Sequence, residues 1–213
     1  RNAKKTLDDA RGAIARLVEV QSDDVIFTSG ATESNALAIL GHVRALQKGG
    51  TKNIHILYLP SAHASVVENA KALSTEGIAI DPLPIQKYRV DTEALAKMLR
   101  NGTALVSMDA VCGETGVVWN TREVSEVLRT HNGKSFFSLA RGTAATREEK
   151  AFPVVLHVDA SQAPLTEKMT RAHFGAGMLT FDASKVGAVR GVGALIAHRT
   201  IPLMPFYGGG GQE

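Results

Sequence analysis

Apolar positions along this chain recur with two different spacings, and the alternation between them lays out the fold. Leu7, Ala10, Ile14, Leu17 and Val18 fall three or four residues apart, which draws one apolar stripe along an opening helix. A short β-rich run, Val25-Ile26-Phe27-Thr28, follows it. Ser29-Gly30-Ala31-Thr32 then reads as a turn into a helix from about Glu33 to Lys48, stopped by Gly49-Gly50. Continuous apolar runs at residues 54–59, 78–81, 103–109, 154–158, 178–181 and 192–197 read as strands, separated by helical stretches near 64–75, 91–100, 121–131 and 165–173. Strands buried on both faces are apolar throughout instead of alternating. The order therefore predicts an α/β fold, a mostly parallel seven-stranded sheet with helices on both faces. Residues 135–151, polar and charged, break the rhythm and read as a solvated surface insertion.

With 213 residues and 44% hydrophobic content, the chain is long enough for one domain with a substantial core. The net charge of +3 is a small excess of 24 basic over 21 acidic residues, interspersed along the sequence, so nothing points to nucleic acid. One cysteine, Cys112, excludes an internal disulfide framework and cannot build a zinc site. No apolar run approaches the roughly 20 residues that span a bilayer. A soluble protein of a reducing, cytoplasm-like compartment is the expectation. The start at Arg1 and the closing Gly208-Gly209-Gly210-Gly211-Gln212-Glu213 read as the two cut ends of a longer chain.

In a doubly wound sheet, ligands collect beyond the carboxyl ends of the strands. Four such ends carry chemistry here. Ser29-Gly30-Ala31-Thr32 precedes a helix, whose free N–H groups suit a phosphate. Pro60-Ser61-Ala62-His63 puts an imidazole at the same edge, Asp159 ends the Val154–Val158 run with Gln162 just after it, and Lys185 follows Met178–Phe181 in Asp182-Ala183-Ser184-Lys185. Each of these alone is more often structural than functional. Together they fit one ligand: a phosphate on the Thr32 loop, an aldehyde on the Lys185 amine, a ring against His63 and a ring nitrogen facing Asp159. That ligand is pyridoxal 5′-phosphate held as a Schiff base.

The stretch Ile26 to Asn35 (IFTSGATESN), the strand end His157 to Ala163 (HVDASQA), Ser184-Lys185 ahead of Arg190 to Leu195 (RGVGAL), and the terminal Gly209 to Glu213 carry a family likeness. In them the chain resembles the class V aminotransferases among the fold-type I pyridoxal-phosphate enzymes, and within these the cysteine desulfurases of the NifS and IscS type. The likeness covers nearly the whole chain. It implies that residues 1–213 are the cofactor-binding large domain, with a smaller C-terminal domain lying outside them. It implies that Lys185 is the Schiff-base lysine, that His63 stacks on the ring and moves protons, and that Asp159 holds the ring-nitrogen proton. Gln162 would bond the phenolic oxygen; Ala31 and Thr32, with Ser184, would cradle the phosphate. L-cysteine as substrate, iron–sulfur cluster assembly through a sulfur-acceptor protein, and a cytoplasmic or organelle-matrix homodimer follow from the same likeness. So do its rivals, another class V reaction such as transamination or selenocysteine cleavage, or a catalytically degenerate relative.

The chain departs from the family in two places. Asp182 and Ser184 stand where a serine and a histidine usually reach the phosphate, so Asp182 is expected to turn away or to weaken the site. Cys112-Gly113 replaces an asparagine that helps to hold cofactor and substrate. Cys112 is not expected to be the sulfur-accepting nucleophile, which the family carries on a loop beyond the lysine, as it does the arginine for the substrate carboxylate.

Overall fold

A computed structural model describes residues 2–140 and 152–208. Nine strands and seven α-helices alternate along it: α1 (Asn2–Leu17), β1 (Val25–Thr28), α2 (Ala31–Ala36), α3 (His42–Lys48), β2 (His55–Tyr58), α4 (Ala64–Thr75), β3 (Ala79–Pro82), β4 (Ile85–Gln86), β5 (Arg89–Val90), α5 (Thr92–Met98), β6 (Thr103–Asp109), α6 (Thr121–Ala140), β7 (Val155–Asp159), α7 (Arg171–Phe174), β8 (Met178–Asp182) and β9 (Gly193–Ala197). A π-helical turn, Leu37–Gly41, joins α2 to α3.

All seven apolar runs become strands of one sheet, in the order β1-β9-β8-β7-β6-β2-β3. Every pairing from β8 to β3 is parallel, and β9 lies antiparallel to both of its neighbours, so six strands share one direction. Neighbouring residues of a strand face opposite sides. Ile56 and Leu105 point into one apolar core with Ile39, Val43 and Val66 of the helices on that face. Leu57 and Val106 point into the other with Val124, Leu128 and Phe174. Burial on both faces is the reason these strands carry no polar alternation.

The central strands nevertheless hold buried polar groups, and these are paired sideways within the sheet. His157 of β7 is fully buried; its Nδ1 meets Ser107 Oγ of β6 at 2.8 Å and its Nε2 meets Thr180 Oγ1 of β8 at 3.0 Å. Burial pushes the His157 pKa down to about 4, against the pull of Asp159, so the ring is neutral and can accept on one side while it donates on the other.

Four expectations change. The stripe of α1 is largely uncovered, with Leu17 68% and Leu7 38% exposed, because only its last turn, at Ala15 and the following Val18, meets the core. The stretch 165–173 is helical only at its end, in α7, where the Thr170 side chain accepts from His173 N–H; Leu165 is exposed and offers no apolar face to pack. Helix α6 continues to Ala140, into the start of the polar stretch, whose residues 141–151 lie outside the described part. The hairpin β4–β5 was not expected: its turn residues Lys87 and Tyr88 take φ values of 50° and 61°, a geometry normally signalled by Asn or Gly.

Where β9 returns beside β1, the backbone of Gly193 touches the loop before α2. A Cβ at Gly193 would lie 2.6 Å from Gly30 Cα and 2.8 Å from Phe181 O, both backbone atoms with no room to yield. Gly193→Ala should therefore lower the unfolding free energy by about 1–3 kcal/mol. Urea denaturation checks this; an unchanged midpoint would show that the loop shifts freely.

Candidate active site

At the carboxyl edge of the sheet the structure gathers residues from α2, α4, β6, β7 and β8. Asp159 ends β7 and is 6% exposed. A carboxylate so far from water needs donors. One is the Ser161 backbone N–H, 2.9 Å from Oδ1, and the other is the side-chain amide of Asn35, whose Nδ2 lies 2.6 Å from Oδ2. The second hydrogen of the same amide goes to Ser65 Oγ at 2.8 Å. Ser65 Oγ lies 2.8 Å from His63 Nδ1, and Ser65 N–H donates to that same nitrogen at 3.2 Å. An N–H donor at Nδ1 makes that atom the acceptor, which puts the neutral ring's proton on Nε2. His63 is thus the N-cap of α4 and also the outer end of a relay that begins at Asp159.

Asp109 ends β6 in register with Asp159. It is buried, and its carboxylate accepts the His63 backbone N–H at 3.1 Å. Burial first, and then the neighbouring Asp159 charge, push its pKa up to about 8, while the His63 N–H pulls the other way. One of two adjacent carboxyls is thereby kept protonated at neutral pH.

The remaining members stand around this buried centre, with Gln162, Lys185 and His63 all exposed. Gln162 packs over the loop after β6: a Cβ on Gly113 would fall 2.8 Å from Gln162 Nε2, so the glycine leaves room for this amide. Cys112, beside it, is buried. Burial disfavours its thiolate, but hydrogen bonds from the Thr115 side chain and the Glu114 and Thr115 backbones outweigh that and lower its pKa.

At the loop before α2 the structure decides between the two alternatives for Asp182. Asp182 does not turn away: its Oδ2 accepts Ala31 N–H at 3.2 Å, and its Oδ1 accepts both the N–H (2.9 Å) and the hydroxyl (2.6 Å) of Ser184. Burial opposes this charge, but the Ser184 and Ala31 donors and the nearby Lys185 cation together hold its pKa below the ordinary value.

Of the residues expected from sequence, Asp159 ends β7, Gln162 and His63 follow strands, Ser184 and Lys185 lie in a single 3-10 turn directly after β8, and Ala31 and Thr32 open α2. Asn35, Ser65 and Asp109 join them only through tertiary contacts. Asn35 lies within the quoted IFTSGATESN stretch, but its role depends on which way α2 turns that position.

The family model for aminotransferase class V matches residues 1–139. The chain belongs to that family. It is 32% identical over 212 residues to the cysteine desulfurase IscS 1 of Archaeoglobus fulgidus, covering 99% of this chain and 49% of that protein. Among solved structures, a NifS-like protein superposes with a TM-score of 0.85 at 25% identity, over 99% of this chain and 52% of its own. DndA from Streptomyces lividans superposes with a TM-score of 0.79 at 32% identity, over 99% and 55%. The chain thus spans about half the length of the relatives it matches, and its fold is that of the large domain of fold-type I pyridoxal-phosphate enzymes. Among the described residues no helix is long and apolar enough to cross a membrane.

Asp109 supplies a test of this edge. Its native pKa stands above its unfolded value, so between about pH 4 and 8 the native state binds the extra proton and stability falls as pH rises. Asp109→Asn, a neutral amide of the same shape, should raise the urea midpoint at pH 8 and flatten its decline between pH 5 and pH 8. Equal slopes in variant and parent would show that Asp109 is ionised throughout.

Proposed function

We propose that this chain is the cofactor-binding domain of a pyridoxal-phosphate-dependent cysteine desulfurase, which takes sulfur from L-cysteine and releases L-alanine. The observation that carries the reading is the fixed carboxylate of Asp159, held by Asn35 and Ser161 N–H at a strand edge shared with His63, Gln162 and Lys185. The donor set suits the cofactor: an acid for the pyridine nitrogen, an imidazole for the ring face, an amide for the phenolic oxygen and a primary amine for the aldehyde. Ala31, Thr32 and Ser184 stand at the phosphate end. When bound, the cofactor supplies an electron sink for cleavage at the substrate's carbons.

The protein's part is to hold charges and protons. Asp159 keeps a proton on the ring nitrogen, and its two donors keep the carboxylate aimed. His63 presents its Nε2 proton while Ser65 holds Nδ1. Lys185, exposed on the loop after β8, would be the covalent anchor for the aldehyde and, as a free amine, a base. Cys112 is 7% exposed and closed to a substrate sulfur, so the accepting thiol comes from elsewhere in the protein. The same reading includes a homodimer in the cytoplasm or an organelle matrix, and a protein that receives the sulfur for iron–sulfur cluster assembly.

The test is made on the full-length protein loaded with pyridoxal phosphate. Borohydride reduction and peptide mapping should place the label on Lys185, Lys185→Ala should lose it, and Asp159→Asn should slow alanine formation roughly a hundredfold, the equivalent of two pKa units. Label on another lysine, or turnover of Asp159→Asn equal to that of the parent, would overturn the assignment.

A further inference from the structure

Phosphate-binding loops work by leaving several N–H groups without protein acceptors at the start of a helix. Here three of the loop's N–H groups, those of Ser29, Gly30 and Ala31, already point to side-chain oxygens. Ser29 donates both its N–H and its hydroxyl to Glu33 Oε2, at 2.7 and 2.6 Å, and Gly30 N–H points to Thr28 Oγ1 at 3.4 Å. Ala31 N–H and both donors of Ser184 go to Asp182. Two carboxylates therefore stand at the loop, Glu33 and Asp182.

The position of Asp182 is set by the fold. Its backbone pairs with Gly193 at the last register of β8 and β9, and Gly193 abuts Gly30, so the carboxylate can reach across to the loop from a fixed base. Lys185 is the cation that acts on it. A serine in this place would donate to a phosphate; an ionised aspartate can only accept, and it repels an anion.

Resting on the cofactor proposed above, we infer that Asp182 is a specificity-determining residue of this site, standing in for the phosphate at the Ala31 and Ser184 donors. A phosphorylated cofactor gains those donors only by displacing the carboxylate, whereas unphosphorylated pyridoxal meets no such competition. The phosphate contacts at Ala31 and Ser184 thus contribute little to affinity, and the ring and the bond to Lys185 contribute most of it.

The experiment is an equilibrium titration of the cofactor-stripped full-length protein with pyridoxal phosphate and with pyridoxal, followed by the visible band and by quenching of tryptophan fluorescence. The parent should bind the phosphorylated form no more than about tenfold more tightly than pyridoxal. Asp182→Ser and Asp182→Asn should each tighten pyridoxal phosphate by about tenfold or more and leave pyridoxal within about twofold. A parent preference for the phosphorylated form of about a thousandfold would overturn the inference even if neither variant folds. So would variants whose affinity for pyridoxal phosphate equals that of the parent; in both cases the cofactor assignment stands. Failure of parent and variants to bind either compound would instead remove the cofactor reading, and this inference with it.

Discussion

A carboxylate ending a central strand, sealed from water by helices on both faces, is stable only if the protein supplies what water would have supplied. Asn35 does most of this. Its amide bonds Asp159 with one hydrogen and Ser65 with the other, so α2, α4 and β7 meet at a single side chain. The orientation of His63 follows, because both the N–H and the hydroxyl of Ser65 meet its Nδ1. Among the described residues Asn35 Oδ1 finds no partner in return, a cost in a site where the charged contact is worth more.

The rest of the sheet is built to keep that edge still. Ser107, His157 and Thr180 tie the three central strands together by side chains as well as by backbone, Ser107 and His157 two positions before Asp159 and Thr180 level with it. Asp109 adds a proton instead of a second negative charge. The edge is therefore rigid and only singly charged at its base, while the exposed side chains above it are free to adapt to a ligand.

Much of this was legible in the sequence. Seven apolar runs named seven strands because strands covered on both faces leave a continuous signal, and the strand-end rule placed Asp159, Lys185, Gln162 and His63 after the strands they follow. Contacts that depend on register or helix phase were not legible. Asn35 and Asp159 are 124 residues apart, and nothing local to either names the other. Asp109 reads as the end of an apolar run until β6 is set beside β7. The β4–β5 hairpin escaped because Lys87 and Tyr88 adopt a turn that their side chains do not favour. Asp182 was noticed as an unusual residue, but its direction depends on the pairing of β8 with β9.

That pairing has a consequence for Lys185 as well. Because β9 runs back against β8, the lysine rides on a hairpin loop closed at its base by the Asp182–Gly193 pair and braced inside by Ala183 N–H to Val192 O and Ala188 N–H to Ala183 O. A parallel crossover would have left it at the mouth of a long, open connection. The entropy of closing a short loop is lost once, on folding, and not again at each encounter with a ligand. The backbone of Lys185 is tethered, and the freedom that remains lies in its four-carbon stem.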